Sequence, residues 1–258
     1  MKIIENRCPS FHKVIVGLDI EWTKNYHITN GNRAFCFSLV SVRQDHCALS
    51  SLEQELLFGF HLYYTESEEE CQQLCQHADR LVELALAEQN VIVGHQFSSD
   101  MSVLLACADG SLPAIEALQY TWRTRNHSLE RNTVKVFDTR YDLGTPKEES
   151  HRLVDVCNAW NLGVMQPEIA GSMTKMQRDF YSNQSSLILE KIAVLNLRHS
   201  LSSILLYLFH LYGRPTIPMN INEILYRNLA GKFDYVESTN FRALLTDKEG
   251  RYPQSAKV

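Results

Sequence analysis

The sequence predicts an α/β domain, a mixed central sheet flanked by helices, and three observations predict it. Three apolar, β-branched and aromatic runs come first, at 13–22, 34–42 and 56–64. Strand and helix patterns then alternate: a helix after 67, a buried strand at 90–94, a helix at 98–107 and a strand at 133–139. Helical patterns follow at 150–162, 173–182 and 186–212. Strands first, then strand–helix alternation, is the order expected of an α/β domain with a mixed sheet.

The elements justify themselves in turn. KVIVGLDIEW (13–22) is apolar apart from its two acids, which is the pattern of a central strand. AFCFSLVSV and LLFGFHLYY are aromatic and aliphatic, with polar stretches separating the runs. Ser67 is an N-cap candidate, and Glu68, Glu69 and Glu70 suit the positive end of a helix dipole. Leu74, Ala78, Leu81 and Ala85 then recur at helical spacing. NVIVG runs into a glycine turn at Gly94, and TVKVFDT supplies a fifth strand. The helix from Ser186 to Tyr212 ends before Pro215 and Pro218. One more helix is expected from Ile221 to Leu229, followed by a polar tail that frays. No repeat, low-complexity tract or linker is apparent, so one domain is expected: a body over 1–216 and a C-terminal helical extension and tail over 217–258.

Composition bounds the function only loosely. The net charge of −5 lacks the basic surplus of a dedicated nucleic-acid binder. A nuclease stays compatible with it, because an acidic metal site subtracts from the total and a local basic stripe can still hold phosphates. The seven cysteines are odd in number, and MKIIENR lacks the apolar core of a signal peptide. No uninterrupted apolar run approaches the roughly 18 residues of a membrane span. These features predict an intracellular protein, cytoplasmic or nuclear, with mostly buried free thiols and no membrane.

Asp19 and Glu21 lie two apart on the first long strand, so a period of two puts both carboxylates on one face. Like charges about 7 Å apart in an apolar strand are costly unless something positive lies between them. A divalent cation meets that need. An acidic solvent face, or pairing with Arg or Lys, meets it equally well for D-x-E alone. VIVGHQFSSDMSVLL (91–105) reads as buried strand, glycine turn and a helix with Asp100 in its first turn. By itself Asp100 is explained by the helix dipole.

Taken together, these motifs resemble the DEDD superfamily of 3′–5′ exonucleases, which have a ribonuclease-H-like fold. In that superfamily D-x-E sits on the first strand, and the second motif runs apolar strand, G-H-N or similar, F-x-x-D. Here the second motif stands as Gly94-His95-Gln96-Phe97-Ser98-Ser99-Asp100, with Leu104 following. Phe137-Asp138-Thr139 and the stretch Leu153–Leu162 resemble the strand and helix that come next, so the likeness covers roughly 13–212. It is greatest to the proofreading domains of family B polymerases. Their third motif, Y-N-x-R-D, stands here as Leu195-Asn196-Leu197-Arg198-His199. On that alignment His199 replaces the fourth acid; on the H-x-x-x-x-D alignment His199 matches and Ile204 takes the aspartate's place.

The resemblance implies a 3′–5′ exonuclease acting on single-stranded DNA or RNA with two divalent metal ions, Mg²⁺ or Mn²⁺. It assigns Asp19 as bridging ligand, Glu21 to the nucleophile-side metal and Asp100 to the other. His199 is a fourth ligand, a water-orienting base, or a helix histidine without a role. Imidazole in place of an anion favours Mn²⁺ or Zn²⁺ over Mg²⁺. The missing acid leaves two alternatives open: the same fold kept as an inactive binding or interaction module, or a partner protein that supplies or regulates the site. Weaker signals are a Cys71-x-x-x-Cys75-x-His77 cluster, too sparse for a structural zinc site, and acids at Asp138 and Asp142 near a strand end. A basic and aromatic patch (Tyr120, Trp122, Arg123, Arg125, His127 and Arg131) fits phosphate and base contacts or a solvated surface.

Overall fold

The computed structural model describes residues 1–6, 13–24, 32–44, 56–86, 90–125, 135–166 and 172–245. Six strands form one sheet: β1 (Lys2–Asn6), β2 (Val14–Lys24), β3 (Asn32–Arg43), β4 (Gly59–Tyr64), β5 (Val91–Gly94) and β6 (Val136–Asp138). Their order is β1-β4-β3-β2-β5-β6. The pairs β1–β4, β4–β3 and β3–β2 are antiparallel, whereas β2–β5 and β5–β6 are parallel. β2 is therefore the seam between an antiparallel half and a parallel half. Two short strands, β7 (Leu162–Gly163) and β8 (Met219–Asn220), pair separately.

The alternation in β2 sorts the layers. Val14, Val16, Leu18 and Ile20 join one core with α1 (Cys71–Leu86), α2 (Phe97–Cys107) and α3 (Pro113–Thr124). Ile15 points the other way, into a core that includes α4 (Leu153–Ala159), α5 (Met173–Asn183), α6 (Ser186–Tyr212) and α7 (Ile221–Leu229). Gly17, Asp19 and Glu21 share the face of Ile15, so the two acids look toward α6.

α6 is the spine of that second layer. Among the described residues it is the one helix long and apolar enough to cross a membrane, a property the sequence reading did not register. Some 94% of its apolar window is buried inside the protein, as in the central helix of a core. Its buried arginine is matched internally. Arg198 is fully buried, donating from Nε to Asn222 Oδ1 at 3.0 Å and from Nη1 to Gln166 Oε1 at 3.4 Å.

Two expectations change. The residues after Leu229 do not simply fray: α8 (Asp234–Glu237) and α9 (Thr239–Ala243) bury Tyr235, Val236 and Phe241. Phe233 meets Phe60 of the sheet with ring centroids 6.2 Å apart, and this aromatic contact holds the extension on the core. Residues 246–258, also placed in the tail, lie outside the described residues. β1 and α3 were not expected. β1 is short and half-polar because it is an edge strand, and α3 was read only as a basic and aromatic patch.

Candidate metal centre

The site begins with a glycine. A Cβ built on Gly17 would lie 2.3 Å from the Ser200 carbonyl oxygen and 2.9 Å from Ile204 Cγ1. Only a residue with no side chain lets the α6 backbone settle this close to β2. From that point His199, the preceding residue, and Asn196, about one turn back along α6, reach Asp19 and Glu21. Ser38, opposite Asp19 on β3, fixes the helix further, donating to the Asn196 carbonyl at 3.2 Å and bonding Ser200 Oγ at 2.7 Å. The β2–β3 register shifts between Glu21 and Trp22, a bulge that ends regular pairing just beyond the acids.

The resulting geometry is compact. His199 Nδ1 is 3.4 Å from Asp19 Oδ2 and 3.3 Å from Glu21 Oε1. Asn196 Nδ2 donates to Asp19 Oδ2 at 2.6 Å. One ligand atom from each of Asp19, Glu21 and His199 lies within 4.8 Å of the others. These three side chains are 15%, 14% and 22% exposed, so a solute can still reach them.

The charges respond strongly. Burial works against a charged His199, but the charges and hydrogen bonds of Asp19 and Glu21 outweigh it and lift the imidazole to about 10. Burial raises Glu21, against the hydrogen bond from His199, and the Asp19 charge adds to the rise. Without a metal, the imidazolium is the counter-charge of the pair.

Asp100 stands in the first turn of α2, only 6% exposed. Burial, then the charges of Asp19, Glu21 and Asp138, raises it well above the carboxylate range. Asp100 is thus in electrostatic reach of the D-x-E pair, as the sequence suggested, but outside the group of three whose donor atoms converge. A proton, or a cation brought alongside it, satisfies it.

The neighbouring acids are structural. Asp138 accepts from the Gln96, Phe97 and Arg140 N–H groups at 2.9, 3.1 and 3.0 Å and from Trp122 Nε1 at 2.8 Å. It therefore caps the start of α2, where Gln96 takes a left-handed φ of 64°. Asp142 pairs with Arg125 at 3.0 Å and accepts the Asp138 N–H at 2.8 Å. Arg125 also stacks over Trp122 at 4.3 Å, so the patch loses its central cation to an internal clamp. His127 and Arg131 lie outside the described residues. His95 bonds Thr139 Oγ1 at 2.9 Å and the His151 carbonyl at 3.0 Å, and burial lowers it to about 4.

Sequence reasoning missed Asn196 and Gly17. Asn196 matches the Y-N-x-R-D pattern letter for letter, and a glycine inside a strand signals close backbone approach.

The donor set fits a divalent cation. Two carboxylates and an imidazole suit Mn²⁺ or Zn²⁺ better than Mg²⁺, which prefers oxygen throughout. Asn196 Oδ1 beside them is buried without a hydrogen-bond partner. Comparison with known proteins finds no family model, no curated protein and no solved structure that matches this chain significantly.

Proposed function

We propose that this chain is a metal-dependent 3′–5′ exonuclease of ribonuclease-H-like fold, hydrolysing terminal phosphodiesters of single-stranded DNA or RNA. One observation carries the proposal: Asp19 and Glu21 of β2 and His199 of α6 present three donor atoms within 4.8 Å of one another. The sheet supports the fold assignment, with an antiparallel meander first and strands then added in parallel through helices.

In this reading Asp19, Glu21 and His199 would hold one divalent ion, and Asp100 would serve a second. Bound metal supplies a polarised phosphoryl oxygen and an activated water. The protein's residues do the rest. Asn196 orients the Asp19 carboxylate by its hydrogen bond. His199 acts as a ligand through Nδ1, since that atom faces both carboxylates, which leaves it no role as a base. Glu21, raised by burial, must give up any proton before it can serve as a carboxylate ligand.

A second reading has one observation in its favour. The His199 imidazolium already faces both carboxylates as a counter-charge, so the group carries a cation of its own without metal, as an inactive binding module would. End-labelled single strands separate the two readings. Laddered digestion by the parent in Mn²⁺, absent for Asp19→Ala, supports the enzyme. Strand binding without digestion in Mg²⁺ or Mn²⁺ leaves the module.

A further inference from the structure

Away from the acidic site, three thiols gather where α1 crosses the end of α2. Cys71 and Cys75 sit one turn apart on α1, and Cys107 is the last residue of α2. The Cys71 and Cys75 thiols are the groups that act most strongly on the Cys107 thiol, and Cys75 Sγ reaches the Leu104 carbonyl of α2 at 3.7 Å. Gln72 fixes this meeting, since its Nε2 donates to the Cys107 carbonyl and its Oε1 accepts the Asp109 N–H at 2.9 Å. His77, which the sequence groups with Cys71 and Cys75, packs instead against the Tyr63 ring at 4.9 Å. The cluster is therefore three sulfurs from two helices, with no imidazole.

We propose that Cys71 and Cys107 form a reversible disulfide, stapling α1 to α2, when the protein meets a hydroperoxide. Cys107 is the attacking sulfur because it is the partly exposed member, whereas Cys71 and Cys75 are 5% and 0% exposed. The groups around it favour its thiolate: the Cys71 and Cys75 thiols first, then the Ala34 N–H at 3.5 Å and the Arg33 charge, which together lower it against burial. Cys71 is the resolving sulfur. Cys75 is the deeper of the two and donates to the Leu104 carbonyl at 3.7 Å, which holds it toward the α2 backbone.

The chemistry balances. The Cys107 thiolate attacks the peroxide O–O bond and becomes a sulfenic acid, and the leaving hydroxide takes a proton to give water. The Cys71 sulfur then displaces a second water and the S–S bond forms. Two thiols and one hydrogen peroxide yield one disulfide and two waters. The inference is independent of the nuclease reading. It bears on that site only because α2 also carries Asp100, about two turns before Cys107.

The test is a titration with stoichiometric hydrogen peroxide, thiol blocking and mass mapping of the linked peptides. The expected result is a Cys71–Cys107 link, two hydrogens lighter than the dithiol, that a dithiol reductant reverses and C75S retains. C71S should leave Cys107 as a sulfenic acid that a 1,3-dione traps, a readout needing no C107S protein. A link through Cys75, Cys8 or Cys47 in its place, or no dione adduct at Cys107 in folded C71S, overturns the proposal.

Discussion

Gly17 and Ser200 stand so close that a Cβ on the first would lie 2.3 Å from the carbonyl oxygen of the second. A rigid helix backbone cannot move aside as a side-chain tip can, so Gly17→Ala must lift α6 from β2. Overpacking of this kind costs about 1–3 kcal/mol, read as a lower midpoint in urea unfolding. The same variant should bind Mn²⁺ more weakly, because Asn196 and His199 ride on α6. Parental stability together with parental affinity would mean that the close approach does not position the site.

The His199–carboxylate group makes the metal-free protein sensitive to base. His199 is raised in the folded state, from 6.5 to about 10. Its contribution is fully present below about pH 6.5 and lost as pH rises through about 10. The raised Glu21 and Asp100 act in the same direction: they favour the folded state while protonated, and that support is lost as pH rises through and above the carboxylate range. Thermal melting in chelator should therefore fall with rising pH more steeply for the parent than for His199→Gln. Equal slopes would contradict the ion pair.

Much of this was legible in the sequence, for physical reasons. A period of two placed Asp19 and Glu21 on one face, and the strand–turn–helix pattern placed Asp100 in the first turn of α2. The long helix was visible from Ser186 to Tyr212, and with it the candidacy of His199. Three things depended on tertiary placement. Which face of α6 meets β2 is decided by Gly17, whose importance shows only once Ser200 lies opposite. The burial of Phe233 depends on partners such as Phe60 far back in the chain. In sequence Asp138 is an acid near a strand end that could approach the site, and only its four hydrogen bonds reveal a capping group.

That capping role gives a third prediction. Asp138→Ala leaves the Gln96, Phe97 and Arg140 N–H groups and the Trp122 indole without their acceptor. Hydrogen bonds to a buried charge are worth about 1.5–3 kcal/mol each before compensation, so a loss of about 3 kcal/mol is expected. Calorimetric melting checks the stability. Mn²⁺ binding at Asp19 should survive in whatever fraction stays folded, which separates a structural acid from a ligand.

The nature of the fourth ligand gives another. His199→Asp puts an anionic oxygen donor where an imidazole stands and removes the built-in cation. The site should then need metal to be stable, and Mg²⁺ should support digestion relative to Mn²⁺ better by about tenfold, or 1.4 kcal/mol. Rates of end-labelled strand shortening in each metal measure this ratio. An unchanged ratio would show that His199 does not touch the metal.

Mn²⁺ binding followed by electron paramagnetic resonance asks whether Asp19, Glu21 and His199 form one cation site. The parent should take up Mn²⁺ at this site, more tightly as pH rises from about 6.5 toward 10 and His199 gives up its proton. Asp19→Asn and Glu21→Gln should each abolish that uptake while the fold persists. Undiminished binding in both variants would place the metal elsewhere and contradict the account.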